Sequence, residues 1–241
     1  MNMLDQVFDE ISQALLYEGY VIFERDRSAA NSHALTVGTV VPKLSDIPEA
    51  WQMQTECLVI GTENTAIDLR LRFFCLQGDD AVEERMNVSR SILKALTGEA
   101  KRLEFALFPE REILATVAIA ASKLADGLFK ITVQVQNLST PTIAQQTNYD
   151  EMLRHSMFAM HAFLHLEAGD FVSSQNPPEE FRSASLQCRN HRTRPILYGK
   201  NGERKTMLSS SFVRRDYPEI VVENAGQPMP RLHPDWRILP E

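Results

Sequence analysis

Cysteine is scarce in this sequence: Cys57, Cys75 and Cys188 are the only three in 241 residues. They are widely spaced, no C-x-x-C occurs, and an odd count is a poor disulfide framework. The pattern predicts reduced thiols in a reducing, cytoplasmic compartment. Glycine is also sparse, with 10 residues. There is no P-loop, no G-x-G-x-x-G, no G-x-S-x-G and no H-E-x-x-H, so the familiar phosphate-cradling, esterase and zinc-protease signatures are all missing and no cofactor is indicated. No apolar run approaches the roughly 18 residues of a membrane-spanning helix. The longest candidate, 113–128, is interrupted by Lys123 and Asp126. The first ten residues carry Asp5, Asp9 and Glu10 and no basic region, so no signal peptide is read there. A formal net charge of -7 argues against a nucleic-acid backbone or an anionic membrane as partner.

What is present is an ordinary globular balance, 44% apolar and 24% charged. A chain of this length buries roughly 70–75% of its unfolded surface, so it needs no disulfide or metal to fold. Leu4, Val7, Phe8, Ile11 and Leu15 repeat at helical spacing and Gly19 offers a stop, which predicts an N-terminal helix over 1–19. A short apolar strand over 20–23 follows. Period-two alternation then dominates. Ile67, Leu69, Leu71 and Phe73 face one way, and Asp68, Arg70 and Arg72 face the other. Leu103, Phe105 and Leu107 repeat the pattern, as do Phe129, Ile131, Val133 and Val135. Segments 33–41 and 53–60 are β-prone but less regular. Asp126-Gly127 and Asn201-Gly202 read as two-residue hairpin turns of type I′.

Helices interrupt the strands. Asn148 with Glu151 suggests a short helix to about 156. Asn176-Pro177-Pro178-Glu179-Glu180 offers a cap residue, first-turn prolines and acids at the positive dipole end, and predicts a helix to about 189. Segment 157–166 fits either a buried strand or a buried helix; the strand is favoured, because Gly169-Asp170 then turns the chain into a strand over 171–174. The fold class expected is α+β and β-rich: an antiparallel sandwich or strongly bent sheet with an N-terminal helix and two or three short helices. One domain is expected, with the helix over 1–19, a β-rich core over 20–222 and an extended proline-rich tail over 223–241.

Four places could carry chemistry. Glu56 sits beside Cys57 on a predicted strand, so the two face oppositely. Cys57 reads as a small buried hydrophobe, and Glu56 as facing solvent or pairing with an arginine. His161 and His165 share a face of a strand about 13 Å apart, too far to chelate one ion, so no metal site is expected. On a helix the same pair would be placed to do so. Arg189-Asn190-His191-Arg192 reads as cations at a helix C-terminus, or as an anion site. Ser209 and Ser210, with Asp216 and Tyr217 downstream, read as strand-end residues or as the lining of a polar pocket. Residues 182–215 hold nine lysines and arginines against few acids, either a solvated basic face or a docking patch for an acidic partner.

Leu16-Tyr17-Glu18-Gly19-Tyr20, Trp51-Gln52-Met53-Gln54-Thr55-Glu56-Cys57, Asn176-Pro177-Pro178, Cys188-Arg189-Asn190, Met207-Leu208-Ser209-Ser210 and Asp216-Tyr217-Pro218 together resemble an uncharacterised bacterial protein family. Its genes often lie beside those for nickel–iron hydrogenase structural and maturation proteins. The chain departs from the family pattern after Tyr20, where the family carries tyrosine, proline and a later lysine. The resemblance implies a cytoplasmic accessory role near hydrogenase biogenesis and no catalytic residue. Two functions are therefore expected in competition. The first is a non-enzymatic accessory or assembly protein binding a protein partner, with an acidic one matching the basic stretch. The second is an enzyme or small-molecule binder whose pocket combines Glu56, His161, Arg189, Asn190, Ser209, Asp216 and Tyr217, with Ser210 as a further candidate binding residue.

Overall fold

A computed structural model of the chain describes residues 15–16, 38–43, 49–77, 80–96, 103–107, 113–142, 149–200, 202–211 and 215–217. Among these residues lie, in order, ten strands and three short helices with described bounds: β1 (Gln52–Ile60), β2 (Ala66–Gln77), β3 (Asp80–Ser91), α1 (Ile92–Leu96), β4 (Leu103–Leu107), β5 (Ile113–Ala125), β6 (Leu128–Asn137), α2 (Tyr149–Arg154), β7 (Phe158–Leu166), β8 (Asp170–Phe171), α3 (Glu179–Leu186), β9 (Arg194–Tyr198) and β10 (Thr206–Ser210). They form two five-stranded antiparallel sheets. The first has the order β4-β5-β6-β1-β8 and the second β3-β2-β7-β10-β9.

The sequence pattern explains why the sheets stack. Period-two alternation puts every second side chain on one face. Ile67, Leu69, Leu71 and Phe73 of β2 meet Ala162 and Leu164 of β7 and Met207 of β10 in one core, and Phe129, Ile131, Val133 and Val135 of β6 enter it from the other sheet. A smaller apolar cluster, Leu15, Phe163, Ile196 and Leu208, covers the opposite face of the second sheet. Burial of this kind contributes about 1.5–3 kcal/mol for each large side chain, which is what holds two sheets face to face. Among the described residues no helix is long and apolar enough to cross a membrane.

The antiparallel sandwich and the strand reading of 157–166 are therefore present. Several local expectations are corrected. Arg72, expected on a wet face, is 3% exposed, because the outer side of the second sheet is itself covered at that point. At the β5–β6 turn the positive φ falls on Gly127 alone of the pair, and the register shifts between Lys123 and Ala125, so the turn is not type I′. The β9–β10 connection is longer than two residues, since Tyr198 pairs with Thr206 across a loop containing Gly199 and Gly202, both at positive φ. Asn176 does not cap α3; Pro178 occupies the N-cap, no side chain caps it, and the helix stops at Leu186 rather than 189. The strand expected over 171–174 is shorter and begins one residue earlier, at Asp170–Phe171. β3 and α1 were not foreseen. Leu15 and Leu16 are helical. The rest of the helix over 1–19, the strand over 20–23, most of 33–41, and the tail over 223–241 lie outside the described residues.

Candidate functional site

β1 lies inside the first sheet along one side, paired with β6 throughout, but on its other side β8 reaches only Val59 and Ile60. The backbone groups of Gln54, Glu56 and Leu58 on that side need partners. The chain that leaves α3 supplies most of them. His191 exchanges both backbone hydrogen bonds with Gln54, at 3.1 and 2.9 Å, and the side-chain amide oxygen of Asn190 accepts the Glu56 N–H at 2.8 Å. Val172 N–H donates to the Leu58 carbonyl at 3.0 Å. A side-chain amide thus stands in for one rung of a strand.

Glu56 locks the same segment from its side chain. It points to the outer face of the first sheet, opposite to Cys57, and is 6% exposed. Its carboxylate accepts the Arg189 N–H at 2.7 Å and the Thr132 hydroxyl at 3.1 Å, and pairs with Lys130 Nζ at 3.2 Å. A nearly buried carboxylate needs such a set of donors. Both expectations for Glu56 are corrected: it does not face solvent, and Arg189 contributes its backbone N–H while lysine supplies the charge. Gln54 adds an amide donor to the Arg189 carbonyl at 3.0 Å. Because α3 ends at Leu186 and has no basic residue in its last turn, the Arg189–Arg192 segment serves as an edge cover rather than as a helix-terminal cation cluster.

An open groove of about 660 Å³ lies beside this lock, lined by Gln54, Glu56, Lys130, Leu186, Gln187 and Arg189. No residue of α3 is buried, and Leu186 is 82% exposed at the groove. Arg182 pairs with Glu179 one turn away at 2.9 Å, whereas the Arg189 guanidinium has no ion pair among the described residues.

The other sequence-predicted site residues lie elsewhere. Ser209 is fully buried between the sheets, its hydroxyl 2.5 Å from that of Thr55 and 2.7 Å from that of Thr193. Ser210 faces the other way, opposite His161 on β7 and Arg194 on β9. His161 is buried on the outer side of the second sheet, edge-on to Phe163, with Nδ1 3.2 Å from the Ala159 carbonyl. Burial, with a smaller contribution from the nearby Arg72 cation, lowers its pKa to about 4, against the Ala159 hydrogen bond, which raises it. Asp216 and Tyr217 close the free edge of β9. Asp216 accepts the Leu197 N–H at 2.9 Å and the Ser173 hydroxyl at 2.5 Å, and Tyr217 N–H donates to the Leu197 carbonyl at 2.8 Å.

Glu56, Arg189 and Asn190 are therefore brought together, and His161, Ser209, Ser210, Asp216 and Tyr217 are not part of that group. Sequence reasoning gave no role to Lys130 and Thr132, and none to Gln54 within the stretch it singled out around Glu56. Pairing segment 53–60 in register with the alternating strand over 129–135 would have found them, since Glu56 sits opposite Thr132 and Leu58 opposite Lys130.

Cys57 is in the core, where burial pushes its thiol well above the ordinary range, and half-buried Cys188 is pushed up to about 11 by burial and by the Glu56 carboxylate. Neither is poised as a thiolate nucleophile. His165 is engaged with the Thr206 hydroxyl at 3.0 Å. Among the described residues no group of three or more histidine, cysteine or acidic side chains is placed to hold a metal ion. Compared with known protein families, with curated proteins and with solved structures, the chain matches none.

Proposed function

We propose that the protein is a cytoplasmic accessory or assembly protein that binds a protein partner through α3 and the groove beside it. The observation that carries this reading is the exposure of α3. A surface helix ordinarily buries an apolar stripe, and one of this length is not stable alone in water. This one has no fully buried side chain; Phe181, Ala184 and Ser185 are only half-buried. It is held from its two ends instead, by the Ser173 and Ser174 hydroxyls before it and by the Glu56–Arg189 lock after it. Such an element presents Leu186 and the Arg189 guanidinium on a fixed support, an apolar anchor beside a cation, which suits a partner with an apolar side chain near a carboxylate. The resemblance to the hydrogenase-associated family supports a role in nickel–iron hydrogenase biogenesis.

The alternative, an enzyme or small-molecule binder, requires its seven polar residues to share one cavity. They are divided between the outer faces of both sheets, the sandwich interior and the β9 edge. Affinity capture from native lysate of the source organism, at low and high salt, tests the binding reading. A stoichiometric partner is expected at low salt with the wild-type chain, and Leu186→Asp and Arg189→Glu should each remove it while leaving the circular dichroism spectrum unchanged. No stoichiometric partner at either salt, or one retained by both variants, overturns it.

A further inference from the structure

We propose that β3 is a self-association edge: two copies of the chain pair antiparallel along their β3 strands about a two-fold axis at Asn87.

A sheet edge offers unpaired N–H and C=O groups, and folded proteins keep such edges short or covered. Three of the four sheet edges here follow that rule. β4 has five residues, β8 has two, and β9 is closed by Asp216 and Tyr217. β3 does not. It has 12 residues, all paired with β2 on one side, and among the described residues no backbone hydrogen bond joins its other side to anything.

Charges on an edge ordinarily repel a second strand, so their positions decide whether this edge is protected or selective. On the outer face Glu83 is already used, paired with Arg85 at 2.9 Å and with Arg72 at 3.8 Å. On the inner face the row is Glu84, Met86, Val88 and Arg90, opposite Phe73, Leu71, Leu69 and Ile67 of β2. Met86 and Val88 pack against the core while remaining partly exposed. Glu84 and Arg90 have no ion pair among the described residues, and burial together with Glu83 holds the Glu84 carboxyl above its usual range. Each chain therefore carries on a single half-buried row one acid and one base that have no counter-ion among the described residues and lie too far apart along the strand to meet each other.

A second copy satisfies both. Antiparallel pairing of identical strands keeps the inner faces together only in alternate registers. Centred on Asn87, Glu84 stands opposite Arg90 twice and Met86 opposite Val88 twice. Centred on 84 or 85, like charges meet at the axis. Centred on 86 or 88, Arg90 faces an apolar side chain. The second sheet of one copy, with five strands, then joins that of the other into one sheet of ten. This edge lies across the second sheet from β9, so the α3 groove stays open in the dimer.

Sedimentation velocity on the full chain over a hundredfold concentration range should show a species of twice 27.4 kDa. Glu84→Arg or Arg90→Glu alone sets like charges opposite each other twice and should raise the dissociation constant about tenfold or more. The double variant Glu84→Arg/Arg90→Glu should restore it. In a Cys188→Ser background, Asn87→Cys should give a covalent dimer on mild oxidation, because directly opposed residues are within disulfide reach. Ser89→Cys should not, since it faces Arg85. A monomer at every concentration overturns the proposal, as does a dimer indifferent to the single reversals, a charge swap that fails to restore it, or cross-linking at 89 equal to that at 87.

Discussion

The backbone N–H of Arg189 donates to the carboxylate of Glu56 at 2.7 Å, across 133 residues of sequence. This contact sits where a loop replaces a strand along β1. On one side of Glu56 its own N–H is taken by Asn190, and on the other its side chain holds Arg189, so a single residue fastens the loop in two directions. The exposed helix α3 depends on that fastening, because none of its side chains is fully buried.

Glu56→Ala should therefore cost about 2–4 kcal/mol, the range for removing one member of a nearly buried charged pair and leaving Lys130 and the Arg189 N–H without their acceptor. Glu56→Gln keeps an acceptor oxygen and should cost less. Urea denaturation measures both. Limited proteolysis of Glu56→Ala should show new cleavage near residues 187–193, whereas cleavage confined to other loops would mean the lock does not hold this segment.

The Thr55–Ser209–Thr193 hydroxyl chain makes a different forecast, because it is buried and uncharged. Ser209→Ala leaves two hydroxyls without their shared partner and should cost about 1–3 kcal/mol. Adding Thr55→Val removes one of those orphans, so the double variant should be less destabilised than the sum of the singles. A double-mutant cycle that is additive would show that the two hydroxyls do not interact.

Much of the sandwich was legible because its strands are half-buried. Ile67 to Phe73 and Phe129 to Val135 alternate apolar and polar residues, and burial against one core enforces that alternation. β3 was not legible for the same reason reversed. Its residues 82–91 are at most half-buried on either face, and Glu83, Glu84, Arg85 and Arg90 break any apolar period. The helix at 179 was visible from Pro178, Glu179 and Glu180, whose fixed φ and charge suit a first turn, but its end was not, since no glycine or basic residue marks Leu186. At the site, residue type singled out Glu56, Arg189 and Asn190. Their role as an edge closure depends on which strand β1 lacks as a neighbour, and that is a property of the sheet order rather than of any local segment.

His161 should make stability depend on pH. Its folded pKa of about 4 lies below the ordinary value of 6.5, because burial and Arg72 disfavour the charged ring. The unfolded chain therefore binds more protons between those values. The contribution is fully present above pH 6.5, is lost as pH falls toward 4, and changes no further below that. The total is about 3 kcal/mol, from 1.36 kcal/mol for each unit of pKa. His165 is shifted in the same direction by burial and adds to the slope. Denaturation curves for wild type and His161→Leu, compared across this window, isolate the buried ring. The variant should lose most of the slope and also the Nε2 that has no hydrogen-bond partner. Equal slopes would place the pH dependence elsewhere.

Gly169 and Gly202 have nearly the same backbone φ, +92° and +94°, yet very different surroundings. A Cβ at Gly169 would lie 2.5 Å from the Ile60 carbonyl oxygen, which belongs to the β1 rung paired with Asp170, so backbone must move to admit it. At Gly202 a Cβ meets no described atom within 4 Å. Gly202→Ala should then cost only the left-handed strain, about 1–2 kcal/mol. Gly169→Ala carries that strain plus an overpacking cost of about 1–3 kcal/mol. The difference between the two urea-derived stabilities isolates the clash, because the conformational penalty and the loss of unfolded-state freedom are common to both. If the two alanine variants are equally stable, the β1–β8 rung yields without cost, and the edge of the first sheet is held by the Glu56–Arg189 lock rather than by β8.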